Sequence, residues 1–406
     1  MKVINVITPH FPPEVTAASH RLEALVGTLG SEYKVHVFTL TEIGEKANEK
    51  EVQLTDNITI HYTNLPAYNK SLFFIRAVYE CIYSFRIAFK AARKRADLTF
   101  ATTPYMFLIP AVILAGSKSR KIMDVRDLVW CYLPERNFIQ RSVKKLFTGM
   151  VRYFLGKYDF ITVTNTSEEQ WVLNETDISS ERIKIISNGI SEDKFKRLST
   201  IKYSQPENPF VITYIGNIGN GQDLNPILEA VKGISDIKLN LIGDGIELED
   251  FKKKVKTENL RNVRLHGKLK WNRLLPFYQT STILFARLGK NYQSAIPSKL
   301  FEYLSTGLPV IFSGSGEAAK LLRQFENTFV LESEDPAALR QLILQIKTLP
   351  LTRSFDNILK TEELFIRERI NQNLLPVIAQ LLNVEEFISS VPEKVHEDFS
   401  LLEELN

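Results

Sequence analysis

One short stretch concentrates residues that could do chemistry: Ile296 to Ile311, IPSKLFEYLSTGLPVI. Ser298 can cap a helix, Lys299 falls in its first turn, and Glu302 follows about one turn on. Gly307 supplies a left-handed stop and Pro309 forbids continuation. A helix N-terminus and a neighbouring lysine both favour an anion. A carboxylate one turn in can accept two hydrogen bonds from a vicinal diol, such as a ribose. The set suits a nucleoside diphosphate, with phosphates at the helix start and ribose at Glu302. An ordinary capped helix with a solvated glutamate would carry the same letters.

Two glycine turns invite the same question. In YIGNIGNGQDLNPILEAV, Tyr214 to Val231, a strand runs through three glycines into an apolar-periodic helix. Glycines there let backbone N–H groups approach an anion, and the helix start adds favourable charge. The spacing is not G-x-G-x-x-G, and no acidic residue after a following strand stands out as a ribose partner, which disfavours a nicotinamide enzyme. A tight strand-to-helix turn is the alternative. LIGDGIELEDF, Leu241 to Phe251, is a second such turn, but acidic and poorly suited to phosphate. Asp127, in VRDL, is the leading carboxylate for acid–base work; a buried cap or a partner for Arg126 is its plainer reading. His10 and His20, near the first loop, read as structural.

Something must position these groups. Short β-branched runs alternate with longer helical patterns along the chain, which argues for parallel sheets covered by helices. Seven strands are expected in the first half: KVINVIT, KVHVFTL, ITIHYT, DLTFATT, KIMDV, DFITVTN and IKIISNG. Six follow: FVITYIG, IKLNLIG, VRLHG, TILFAR, LPVIFS and TFVLE. The alternation restarts after RLSTIKYSQPENPF, a polar segment with two prolines. We therefore expect an N-terminal domain over 1–196 and a second over 197–360. One long helix over 361–383, bent near Pro376, should cross back, and an acidic tail should occupy 384–406. Ligands in such sheets bind outside the carboxyl ends of the strands.

Length and composition agree. At 406 residues the chain is too long for one small core. Hydrophobic content of 44% and charged content of 24% are ordinary for a globular protein. Two cysteines, Cys81 and Cys131, give no disulfide framework and no metal spacing, so a reducing cytoplasmic setting and metal-independent chemistry are expected. The first residues read as a strand rather than a signal peptide, and the longest uncharged apolar run, Tyr105 to Gly116, is too short to span a bilayer. Net charge is +4, but 70–157 holds 17 Lys and Arg against 5 Asp and Glu. That stretch includes SLFFIRAVYECIYSFRIAFKAARKRADL, a basic amphipathic pattern suited to an anionic membrane surface or to plain docking. No nucleic-acid motif occurs.

These segments, in order, resemble the family 4 glycosyltransferases of GT-B fold, and within them the subgroup that builds bacterial polysaccharides on a lipid carrier. The likeness runs nearly the whole chain: FPPEVTAASHRLEALVGTL, MDVRDLVWCYLPE, IISNGISEDKF, IGDG, NVRLHGKL, PSKLFEYLSTGLPVI and FIRERINQNLLPVI. It implies two Rossmann-like, doubly wound domains facing across a cleft. It implies retaining transfer of a hexosyl or N-acetylhexosaminyl group from a nucleotide-diphosphate sugar to a lipid-linked saccharide. The setting would be surface polysaccharide synthesis, on the inner face of the cell membrane.

The resemblance also implies roles. Glu302 corresponds to the ribose-holding second glutamate of the E-x7-E motif; the first is Ser294 here. Backbone at Ser298, Lys299 and Leu300 would meet the diphosphate, and backbone near Lys268 the base. The loop from Gly216 to Gln222 would line the diphosphate side. The family's Arg and Lys pair appears there as Asn217 or Asn220 with Gln222, leaving Lys299 and Arg287 as available cations. Thr16, Ala17 and Ala18 replace a glycine pair in the first loop. Asp127 and Lys299 are the expected catalytic residues. Two other readings stay open: a glycosyltransferase-like binding or scaffold subunit, and a GT-B nucleotide-sugar epimerase.

Overall fold

A computed structural model describes residues 1–14, 16–41, 51–68, 72–202 and 209–383. The expected acidic tail and the middle of the expected interdomain linker lie outside the described residues. The chain divides into two compact units: Met1–Ser187 with the described residues from Glu368 on, and Asn188–Arg367.

The first unit is built on eight strands: β1 (Val3–Ile7), β2 (Lys34–Thr41), β3 (Glu51–Thr55), β4 (Ile58–Asn64), β5 (Leu98–Thr102), β6 (Arg120–Asp124), β7 (Phe160–Val163) and β8 (Ile183–Ile185). Their order is β3-β4-β2-β1-β5-β6-β7-β8. All pairs are parallel except β3 with β4. Helices cover both faces, so β5 and β7 are buried at every position and β1 at all but its first, as a two-sided parallel sheet requires. One face packs under Phe73–Ala92, Leu108–Leu114 and Phe138–Leu155. The other packs under Ala17–Gly30 and a returning helix, Leu375–Leu381.

The second unit holds six parallel strands: β9 (Phe210–Ile215), β10 (Ile237–Ile242), β11 (Val263–Gly267), β12 (Ile283–Arg287), β13 (Val310–Ser313) and β14 (Thr328–Leu331). Their order is β11-β10-β9-β12-β13-β14, the doubly wound arrangement whose strand order reverses between β9 and β12. The expectation of two Rossmann-like α/β units holds, and all thirteen expected strands form.

Three expectations need correction. The units part at Ser187/Asn188 and Arg367/Glu368 rather than near 196 and 360. The helix Glu192–Ser199 lies in the second unit, with Phe195 and Leu198 buried in its core. The single long helix over 361–383 is three: Phe355–Phe365, Arg367–Gln372 and Leu375–Leu381. Ile366 breaks the first, leaving helical geometry to form a parallel bridge with Ile190. Pro376 opens the last helix rather than bending a longer one.

Candidate functional site

The second unit gathers most of the expected residues around the carboxyl ends of β9 and β12. Gly216 follows β9 directly, and its loop is tightly braced. Asn217 Nδ2 donates to Gln222 Oε1 at 2.9 Å, and the Tyr214 hydroxyl donates to the Asn217 carbonyl at 2.5 Å. The Gly289 N–H, just after β12, reaches the Gly221 carbonyl at 2.9 Å. Asn217 and Asn220 are exposed.

The acidic glycine turn after β10 braces this loop from its other side. A Cβ on Gly243 would lie 1.7 Å from the Gly216 carbonyl oxygen, and one on Gly245 would lie 2.2 Å from that of Ile218. Glycine is required there for backbone packing, which accounts for that turn without a phosphate.

Arg287, the last residue of β12, is 2% exposed. Its Nε donates to the Asp223 carbonyl at 2.8 Å and its Nη1 to Ser313 Oγ at 2.6 Å. Its Nη2 lies 3.3 Å from Asp223 Oδ2 and 3.7 Å from Glu334 Oε1. The guanidinium therefore clamps the loop after β9, at Asp223, to β13, a structural commitment that the sequence did not reveal.

The helix of the opening stretch spans Ser298–Thr306, and Gly307 ends it at φ 68°. Its cap is Pro297 rather than Ser298, and no side chain bonds the first-turn N–H groups. Ser298 is thus the first helical residue, beside an uncapped helix start. Leu300 is fully buried and anchors that turn. Tyr303, buried on the same helix, accepts from the Ile215 N–H at 2.8 Å and donates to the Ile215 carbonyl at 3.2 Å. The helix is thereby pinned to the end of β9.

Glu302 is 7% exposed, not solvated. Its Oε2 accepts from Lys299 Nζ at 2.8 Å, the Tyr278 hydroxyl at 2.9 Å and Trp271 Nε1 at 3.3 Å. Its Oε1 has Lys194 Nζ at 3.5 Å. Burial alone would raise its pKa; Lys299, then Lys194, hold it below the ordinary glutamate value. A charged carboxylate is kept here with one oxygen saturated and the other lightly engaged. Lys194, Trp271 and Tyr278 escaped the sequence reading. The signal was in hand: Lys194 sits in ISEDKF, and the other two follow the LHG strand. Lys268, directly after β11, is exposed.

In the first unit, Thr16 caps the helix Ala17–Gly30. Its hydroxyl accepts from the Ser19 N–H at 3.2 Å, while Ser19 Oγ accepts from the Thr16 N–H at 3.0 Å. His10 pairs with Glu14, and His20 with Glu23. Asp127 does not partner Arg126. That arginine goes to Asp124, at 2.8 Å, and to the Ile186 carbonyl. Asp124, fully buried at the end of β6, also meets Arg21 at 3.0 Å and the hydroxyls of Thr102 and Thr162. Burial opposes its charge, but Arg126 and Arg21 bring its pKa down to about 2.

Asp127 instead receives a Tyr132 hydroxyl at 3.3 Å, and burial pushes its carboxyl up to about 6. Glu168, fully buried, accepts the Thr164 N–H and hydroxyl on Oε2, at 2.7 and 2.8 Å, while its Oε1 has no hydrogen-bond partner. Burial pushes Glu168 up to about 8, and the charge of Asp127 adds to the rise. Two neutral-leaning carboxyls thus occur beyond β6 and β7. The sequence reading named only one.

Comparisons with known proteins bear on what these parts belong to. Residues 196–359 match the family described as Glycosyl transferases group 1. No curated protein matches the sequence. Among solved structures, sucrose-phosphate synthase from Thermosynechococcus elongatus aligns with a TM-score of 0.74 at 15% identity, covering 94% of this chain and 100% of that one. The apo lipopolysaccharide outer core galactosyltransferase WaaB gives 0.61 at 15%, covering 92% and 98%. Anabaena HepE in complex with UDP and glucose gives 0.64 at 13%, covering 93% and 99%. At such identities these likenesses establish the fold, which is GT-B. Joined to the family match over the second unit, they support a glycosyltransferase of GT-B fold.

Proposed function

We propose that the protein is a retaining glycosyltransferase. It takes a hexosyl or N-acetylhexosaminyl group from a nucleotide-diphosphate sugar and passes it to a lipid-linked saccharide, in surface polysaccharide synthesis at the inner face of the membrane. The observation that carries this reading is the pairing of an uncapped helix start with a buried, charged Glu302 on the same helix. The free N–H groups of Ser298 and Lys299, with the Lys299 ammonium, take the diphosphate. Oε1 of Glu302 takes the ribose diol. The base rests against backbone near Lys268, and the loop from Gly216 to Gln222 flanks the phosphates.

In the transfer, the bond between the anomeric carbon and the diphosphate oxygen breaks, and its electron pair leaves with the phosphate. The acceptor oxygen bonds to the same face of that carbon, and its proton passes to the departing diphosphate. Leaving-group stabilisation dominates such a step. Asp127 holds the acceptor hydroxyl by a hydrogen bond. No metal is needed in this scheme. HepE, solved with UDP and glucose, makes UDP-sugars the first donors to try.

One observation favours a second reading, a binding subunit without turnover. Arg287 is committed to Asp223 and Ser313, and Asn217 and Gln222 are uncharged and bond each other, so none of the three offers the phosphates a free cation.

A thermal-shift screen over nucleotide sugars, with chelator present, tests the reading. A ligand at a hundred times its Kd adds about 2.7 kcal/mol, or roughly 5–10 °C for a protein of this size. If no nucleotide moves the midpoint, the donor site is not where we place it. Transfer to a lipid-linked acceptor that disappears in Glu302→Ala rules out the binding subunit; binding without transfer supports it.

A further inference from the structure

Two helices of the first unit, Phe73–Ala92 and Phe138–Leu155, turn large apolar side chains away from the core. Their inward residues, such as Phe85 on one and Phe147 on the other, pack against the same core cluster. The short helix Leu108–Leu114 touches both. Their outward sides therefore look off one face of the first sheet. On the first helix Ile75, Val78, Ile82 and Phe89 recur at three-, four- and seven-residue spacing and are 40–56% exposed. On the second, Phe138 is 76% exposed, Ile139 71%, Leu146 69% and Tyr153 63%. Single exposed apolar residues need no account, but a field of this size does.

The charge carried on the two helices is mostly of one sign, although Lys144 meets Glu135 at 3.4 Å and Arg152 meets Glu175 at 3.2 Å. Phe138–Leu155 carries Arg141, Lys144, Lys145 and Arg152 and no acidic residue. Phe73–Ala92 has one acid, Glu80, which is buried and engaged by Arg76 at 2.7 Å. Three more cations, Arg93, Lys94 and Arg95, follow directly.

We propose that this two-helix face docks on a lipid bilayer with an anionic surface, its apolar side chains entering the headgroup boundary and its cations pairing with headgroups. The occupant follows from chemistry. Apolar rows flanked by cations match an anionic interface. A second copy of the same face would set cations against cations. No described helix is long and apolar enough to cross a membrane, so the contact is interfacial. The proposal deepens the lipid-linked acceptor reading and rests on it for purpose alone, because docking is measurable without nucleotide or acceptor.

The test is flotation of the full chain with phosphatidylcholine vesicles, with and without phosphatidylglycerol, at low and high salt. Each cation near an anionic surface is worth about fivefold in partitioning, and each inserted Phe or Ile about tenfold. Recovery should be strong on anionic vesicles, weak on neutral ones, and only partly lost in high salt, because the apolar part is not screened. Two double variants, Phe138→Glu with Ile139→Glu and Val78→Glu with Ile82→Glu, should each lose about a hundredfold. Their thermal midpoints and nucleotide binding should stay as in the parent. Equal recovery on neutral vesicles, or variants that float like the parent, would overturn the proposal. So would a dimer in solution that the same variants dissolve. If the parent floats and binds no nucleotide, docking stands and the transferase reading falls instead.

Discussion

Replacing Glu302 with Gln keeps the shape and removes the charge, so it separates two roles that the carboxylate could play. In the native arrangement Oε2 accepts from Lys299, Tyr278 and Trp271, and Lys194 stands near Oε1. The Tyr278 hydroxyl can still bond an amide. The two ammonium groups lose their counter-charge, but both lysines are 27% exposed at the side chain and can turn to water. The loss is therefore that of one or two charged hydrogen bonds, about 2–4 kcal/mol. At roughly 2–4 °C per kcal/mol the midpoint should drop by about 5–15 °C at neutral pH. The sign with pH is fixed. A depressed folded-state pKa contributes stability that is present above the unfolded value and lost as pH falls through the folded one. The gap between parent and variant should hold at pH 7 and close below the ordinary glutamate value of 4.5. Calorimetric titration with UDP and 2′,3′-dideoxy-UDP then completes a double-mutant cycle. If Glu302 holds the ribose, the parent prefers UDP by about 10²-fold and the variant shows little preference. Should both proteins discriminate equally, Glu302 merely orients the two lysines, and the ribose assignment is wrong.

Two further outcomes follow from the packing and the buried carboxyls. Gly243→Ala puts a methyl 1.7 Å from the Gly216 carbonyl. Unfolding should shift by about 2–4 kcal/mol and nucleotide binding should weaken with it; an unchanged midpoint would show that the two turns yield freely. Glu168, raised to about 8, and Asp127, raised to about 6, both favour the neutral form. Raised pKa values give stability that is full below the unfolded values and lost as pH rises through the folded ones. Stability of the parent should thus decline from about pH 5 to pH 8, and Glu168→Gln should flatten the upper part of that decline. Parallel slopes in parent and variant would mean that Glu168 is already ionised.

The fold was largely legible because thirteen of the fourteen strands are short apolar runs with β-branched character, most of them largely buried. The one missed, Glu51–Thr55, is exposed at every position and exists through its antiparallel ladder to β4, which leaves no hydrophobic signature. The site was legible where its chemistry is local. Glu302, Lys299 and the stop at Gly307 lie within one turn or two of each other. What failed was long-range partner choice. Arg287 meets Ser313 and Asp223, 26 and 64 residues away, so its burial could not be read from its neighbours. Arg126 sits beside Asp127 in sequence yet bonds Asp124, because alternation along β6 turns Asp124 toward Arg21 and Thr162. The cap was misread for a local reason. Ser298 has the right chemistry, but Pro297 with its fixed φ already ends the extended segment.

The bridge between Ile190 and Ile366 has a reach beyond the helix it interrupts. The Ile190 N–H donates to the Phe365 carbonyl and the Arg367 N–H to the Ile190 carbonyl, each at 2.9 Å. Both ends of the second unit are therefore stitched together, as if a complete module had been spliced into a host at one seam. Such a module can be cut out at 188 and 367 without leaving loose ends. Its original ends could also be joined by a short linker and new termini opened elsewhere, for example in the exposed segment before β14. The paired ends make the second unit a portable part, open to redesign apart from the unit that carries it.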